Sequence, residues 1–231
     1  MAGIRIKRGF SVEAGLRRFS AAAFHPVGRF LARFLSPNLI TLLSLLASGA
    51  AGWCFAAGHF TTGAWLMLAA GLLDIFDGQV AKLTNRVSLF GAFLDSSVDR
   101  VSDFIYGAGV MYYFIYYRDS SGGTALDLVY LVLAYLFLSQ LISYVKARAE
   151  ALGFDCGVGL LARPLRMLFF GVPLFVFGFK PEPWVLRAPY IAVIALGAET
   201  ALHRFIHVWR QSRRGADGAA APCMPGGGGG A

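Results

Sequence analysis

Four aspartates carry the chemistry of this sequence. Asp74 and Asp77 stand three residues apart, and Asp95 and Asp99 four apart, so each pair shares one face if its segment is helical. A short turn between the two segments lets the four carboxylates converge. Carboxylates that close repel one another and stay partly protonated, a conflict that a divalent cation removes. Hard oxygen donors of this kind suit Mg²⁺ or Mn²⁺, and four acids shared by two helices are enough for two ions. The competing reading is a set of structural ion pairs with Lys82, Arg86 and Arg100. Acids inside an apolar segment are costly and default to function. Gly78 follows Asp77 directly, and Gly91 lies one turn before Asp95. Both leave room for a bulky group beside the acids, although each weakens a helix by about 1 kcal/mol relative to alanine. The alternative for either glycine is close helix packing in a membrane.

The elements that must position these acids follow from composition. The chain has 231 residues, 57% of them hydrophobic and 15% charged, with a mean hydropathy of +0.60. Soluble domains carry about 25% charged residues, so these values exclude a disordered chain, a coiled coil and an ordinary soluble domain. Six apolar segments run over 38–57, 62–82, 89–117, 125–148, 164–180 and 184–207, separated by turn residues such as Gly58, Asn85, Gly122, Gly153 and Pro181. Each approaches the roughly 20 residues that cross a bilayer, and the alternation of a membrane β-barrel is missing. The expected architecture is an all-α integral membrane protein of six transmembrane helices over 37–210. Residues 1–36 interleave arginines with Phe10, Phe19, Phe24 and Phe30, which predicts an amphipathic helix on the cytoplasmic membrane surface. Its alternative is a disordered basic arm. The segment lacks the compact apolar core of a signal peptide. Residues 211–231 read as a disordered tail.

Charge sets the expected orientation. Lys82, Arg86, Lys146, Arg148, Arg163, Arg166, Arg204 and the N-terminal arginines gather on one side, and Arg118, Lys180 and Arg187 on the other. The positive-inside rule places both termini and the acidic cluster at the cytoplasmic face, with a bacterial inner membrane as the expected setting. The net charge of +8 then reports lipid headgroups and anionic substrates rather than a nucleic acid polymer. Cys54, Cys156 and Cys223 form no spaced set, which argues against a disulfide framework or zinc site.

Asp74-x2-Asp77-Gly78-x2-Ala81-Lys82-x8-Gly91-x3-Asp95-x3-Asp99 resembles the motif of the CDP-alcohol phosphotransferases. The family usually has arginine where Lys82 stands; lysine keeps the charge but loses bidentate phosphate geometry. The resemblance implies a six-helix fold, a polar cavity open to the cytoplasm, two divalent metals per active site and a homodimer. It implies metal ligation by Asp74, Asp77, Asp95 and Asp99, with Asp99 also the base for the acceptor hydroxyl. It places Gly78, Lys82 and Gly91 at the CDP-lipid site. Pro37-Asn38-x2-Thr41 resembles the family's first-helix entry, so Asn38 and Thr41 are nucleotide contacts on that reading. The alternative is a helix start capped by Asn38 or Thr41.

Ser143-Tyr144-Val145-Lys146-Ala147-Arg148-Ala149-Glu150, followed by Arg163-x2-Arg166 and Thr200-x3-Arg204, could form a basic pocket for an anionic acceptor. This stretch is similar to the phosphatidylinositol-phosphate synthase branch, except that Ala162 stands where that branch tends to have glutamate. The implied reaction transfers the phosphatidyl group of CDP-diacylglycerol to myo-inositol 1-phosphate and releases CMP. Glycerol 3-phosphate is the rival acceptor, and simple topological anchoring is the rival role for the basic set. From another class, a divalent-cation transporter would also use clustered acids, but it should show inverted repeats around a midplane site; no internal repeat is evident.

Overall fold

The structure, a computed structural model, describes residues 30–116, 125–159, 161, 163–180, 182 and 184–216. Every regular element among them is an α-helix. In chain order these are α1 (Pro37–Ala56), α2 (Phe60–Leu83), α3 (Leu89–Tyr116), α4 (Leu126–Ala151), α5 (Arg163–Phe179) and α6 (Trp184–Ala216). The six apolar segments of the sequence fall on these six helices. Most of the expected surface helix and the C-terminal tail lie outside the described residues.

Four helices, α1, α2, α4 and α6, are long and apolar enough to cross a membrane. α3 is long enough, at 28 residues, but carries Asp95, Asp99 and Arg100 in its first half and Asp103 at its middle. α5 has 17 residues and starts with Arg163 and Arg166. The apolar helices make the chain an integral membrane protein.

The chain forms two compact units divided inside α3, between Gly109 and Val110. The first contains α1, α2 and most of α3. Ser36 precedes α1 in extended conformation and Pro37 occupies its first turn, where proline's fixed φ and missing N–H fit the helix start. α1 buries Ile40, Ser44, Ser48, Ala51 and Phe55, a stripe of helical period. Small residues bring the helices close. A Cβ on Gly109 would sit 2.2 Å from the Gly52 carbonyl oxygen, and one on Gly63 would strike the Phe55 ring at 2.6 Å. Beside that crossing the hydroxyls of Ser48 and Tyr106 meet at 2.6 Å, which satisfies two buried polar groups.

The second unit is built on a stack of rings. Tyr135, Phe170 and Tyr190 come from α4, α5 and α6. Phe170 lies 4.9 Å from Tyr135 and 5.5 Å from Tyr190, nearly parallel to each. Tyr135 donates its hydroxyl to the Arg166 carbonyl at 3.2 Å. At the opposite end of α4, Arg187 of α6 pairs with Asp127 at 2.5 Å. The segment between α4 and α5 is tied to α6: Gln211 donates to the Asp155 carbonyl at 2.7 Å, and Leu161 N–H donates to Thr200 at 3.3 Å.

Candidate active site

The site belongs to the first unit and is organised by the end of α2 and the start of α3. Asp74 and Asp77 occupy the last turns of α2, Asp95 and Asp99 the first turns of α3. Carboxylate oxygens of Asp74, Asp95 and Asp99 lie within 4.8 Å of one another, all three half-buried. Three negative groups at that separation, supplied by two helices, fit a hard divalent cation. Mg²⁺ and Mn²⁺ suit the all-oxygen donor set.

Asp77 is set apart from this trio. It is 5% exposed, and its Oδ2 accepts the Thr41 hydroxyl of α1 at 2.5 Å. That bond crosses 36 residues of chain. Residue Ser36, not Asn38 or Thr41, stands at the helix cap, and no side chain caps the helix. Asn38 and Thr41 instead lie on the wall of a cavity of about 190 Å³, together with Asp77, Gly78 and Asp95. A Cβ added to Gly78 would meet nothing within 4 Å. The missing side chain leaves open space at the cavity wall, where a ligand can approach the helix backbone. Gly91 also lines the cavity; a Cβ there would lie 3.0 Å from the Ser88 hydroxyl.

Lys82 is exposed at the same wall. Arg86, Val87 and Ser88 join it there, although the sequence marks Arg86 only as an ion-pair or topology cation. Ser88 is the side-chain cap of α3, its hydroxyl accepting Gly91 N–H at 2.9 Å. The signal was present in a serine three residues before a glycine, but it becomes informative only when the start of α3 is known.

The basic set lies in the second unit. Arg166 is 4% exposed and donates to Ser139 at 3.0 Å, Ser143 at 3.0 Å and the Leu161 carbonyl at 3.1 Å. Arg204 is 6% exposed and donates to the Val158 carbonyl at 2.9 Å and the Ile142 carbonyl at 2.7 Å. Both guanidiniums therefore hold the α4–α5 segment. Arg163 is half-buried, and Arg148 is exposed. Lys146 pairs with Glu150 at 3.9 Å, both well exposed, a contact of small energetic weight. Within the tied segment Cys156 is buried, and burial pushes its thiol above the ordinary range.

The chain as a whole is similar to known proteins. The pattern of the family described as CDP-alcohol phosphatidyltransferase matches residues 34–202. The archaetidylinositol phosphate synthase of Methanothermobacter thermautotrophicus is 36% identical over 197 residues, covering 81% of this chain and 93% of its own. The phosphatidylinositol phosphate synthase of Mycobacterium bovis is 33% identical over 189 residues, covering 80% and 84%. The crystal structure of Mycobacterium tuberculosis phosphatidylinositol phosphate synthase with CDP-DAG bound has a TM-score of 0.72 at 31% identity, covering 83% of this chain and 94% of that one. The same enzyme in complex with manganese and citrate also gives 0.72 at 31% identity, covering 80% and 88%.

Proposed function

This chain belongs to the CDP-alcohol phosphatidyltransferase family, and from that premise we propose that it transfers the phosphatidyl group of CDP-diacylglycerol to myo-inositol 1-phosphate, releasing CMP. The observation that carries the reading is the carboxylate trio of Asp74, Asp95 and Asp99, of which Asp95 also lines the cavity that Gly78 leaves open. Phosphoryl transfer is mainly a matter of positioning and charge, and this wall supplies both.

Asp74, Asp77, Asp95 and Asp99 would hold Mg²⁺ or Mn²⁺, two per site, which when bound neutralises charge on the diphosphate. Gly78 and Gly91 admit the CDP group against the helix backbones, while Asn38, Thr41 and Lys82 contact it. The Asp99 carboxylate takes the proton of the acceptor hydroxyl as that oxygen attacks the phosphorus bearing the diacylglycerol. The bond from that phosphorus to the CMP oxygen breaks, and CMP leaves with the electron pair. No covalent bond to the protein is needed.

The acceptor's phosphate falls to the basic set: Lys146, Arg148, Arg163, Arg166 and Arg204. A dianion rewards several charge-assisted donors, and a neutral or zwitterionic alcohol does not. Arg166 and Arg204 also frame the α4–α5 segment, so their share includes positioning. The names of the relatives, both inositol phosphate synthases, favour inositol phosphate over glycerol 3-phosphate.

The same reading completes the architecture. Residues 37–210 form one catalytic domain with six membrane spans, α3 and α5 included. Residues 1–36 lie as an amphipathic helix on the cytoplasmic surface, and 211–231 form a tail. Both termini and the site face the cytoplasm of a bacterial inner membrane, among anionic lipids, in a homodimer.

The test is an acceptor screen with purified protein, CDP-diacylglycerol and Mn²⁺. CMP release is expected with inositol 1-phosphate, less with glycerol 3-phosphate, and none with serine or free inositol. Release with serine or inositol, and none with either phosphate, would overturn the acceptor assignment.

A further inference from the structure

α2 ends in a Schellman turn. Asn85 adopts a left-handed φ of 52°; its N–H donates to the Lys82 carbonyl at 3.4 Å, and the Arg86 N–H donates to the Ala81 carbonyl at 2.9 Å. These are the paired closures of that motif, and asparagine tolerates the left-handed region better than most residues. The turn folds the chain back, so Arg86 lines the same cavity wall as Lys82. Two residues later Ser88 caps α3. The positive end of the α3 dipole therefore borders the same wall.

Two cations thus serve one small cavity, and they are chemically unlike. Lys82 offers a compact point charge on a flexible stem. Arg86 offers a planar fork of donors that matches two oxygens of one phosphate and never loses its charge. Its backbone is pinned by the turn before it and the cap after it, which lowers the ordering cost of binding.

We propose that Arg86 is a phosphate-binding residue of this cavity, supplying beside Lys82 the bidentate contact that the lysine cannot make. The inference rests on the phosphatidyltransferase reading and extends it to a residue outside the aspartate motif. Two sources of phosphate share this chemistry: the diphosphate of the nucleotide-activated lipid and the headgroup of a membrane phospholipid. The diphosphate is favoured, because Arg86 lines a cavity that also contains Asp77 and Asp95, two of the carboxylates that would hold a divalent cation, and such a cation favours the more highly charged diphosphate over a lone headgroup phosphate.

The experiment measures calorimetric binding of CDP to the purified full chain in detergent with Mn²⁺, without acceptor or turnover. A second arm measures binding of phosphatidylglycerol in mixed micelles. Arg86→Gln is expected to weaken CDP binding by about ten- to a hundredfold. Phosphatidylglycerol binding should be unchanged. Arg86→Lys should recover only part of the loss. Lys82→Arg in the Arg86→Gln background should recover most of it, by returning a guanidinium to the same wall, and this rescue excludes misfolding as the cause. Equal CDP affinity in the wild type and Arg86→Gln would overturn the inference, as would an effect confined to phosphatidylglycerol. A wild-type protein that binds no CDP would instead overturn the phosphatidyltransferase reading and this inference with it.

Discussion

Thr41→Val tests one bond of the site; the other acceptor of the Thr41 hydroxyl, the Pro37 carbonyl at 3.2 Å, lies within the first turn of α1. Valine keeps the shape of threonine and leaves the α1 packing intact, but it removes the hydroxyl that donates to Asp77 Oδ2 at 2.5 Å. Asp77 is 5% exposed, so water does not readily take the donor's place. A hydrogen bond to a charged group contributes about 1.5–3 kcal/mol, and each 1.4 kcal/mol is about a factor of ten. If the Thr41 hydroxyl fixes Asp77 as a metal carboxylate, the Mn²⁺ concentration for half-maximal CMP release should rise by about ten- to a hundredfold. Thr41→Ser, which keeps the donor, should stay near the wild type. The assay is CMP release across a Mn²⁺ titration at saturating CDP-diacylglycerol, with KM for the lipid measured alongside. An unchanged Mn²⁺ dependence, with only the KM for CDP-diacylglycerol raised, would refute the reasoning and make Thr41 a nucleotide contact alone.

Gly109→Ala and Gly78→Ala make an opposed pair. The first Cβ would sit 2.2 Å from the Gly52 carbonyl oxygen, whereas the second meets open space. Thermal unfolding in detergent should show Gly109→Ala destabilised by about 1–3 kcal/mol and Gly78→Ala close to the wild type. Gly78→Leu should remain folded but lose CDP-diacylglycerol binding, because its side chain enters the cavity. Arg204→Ala removes donors to the Val158 and Ile142 carbonyls and should loosen the α4–α5 segment. Maleimide labelling of the buried Cys156 thiol, slow in the wild type, should then accelerate; an unchanged rate would show that Thr200 and Gln211 hold the segment without it.

The helices were readable because each apolar run ends at a residue that breaks it. Gly58 and Gly153 both take a left-handed φ of 83°, the conformation that glycine adopts without strain. The spacing of the acids was equally direct, since residues three and four apart share a helix face whatever surrounds them. Contacts between helices were a different matter. Nothing local in the sequence links Thr41 to Asp77, which requires the register of α1 against α2. Arg86 gains its position from the backbone sign of Asn85, and a turn residue does not announce that sign. Arg166 and Arg204 show the same gap from the other side. A guanidinium near a helix end can point to a ligand or to carbonyls of its own fold; here Arg166 donates to Ser139 and Ser143, and both arginines donate to the α4–α5 backbone. That bonding was not visible in the charge pattern.

The central claim is that the trio of Asp74, Asp95 and Asp99 makes this chain a metal-dependent phosphatidyltransferase. Its most direct test is acceptor-dependent CMP release from CDP-diacylglycerol by the wild type and by Asp99→Asn, with folding of both checked by thermal unfolding. The account predicts release by the wild type only when Mg²⁺ or Mn²⁺ and inositol 1-phosphate are both present, and none by a folded Asp99→Asn protein. Release that persists in Asp99→Asn, or that needs no divalent metal in the wild type, would contradict it.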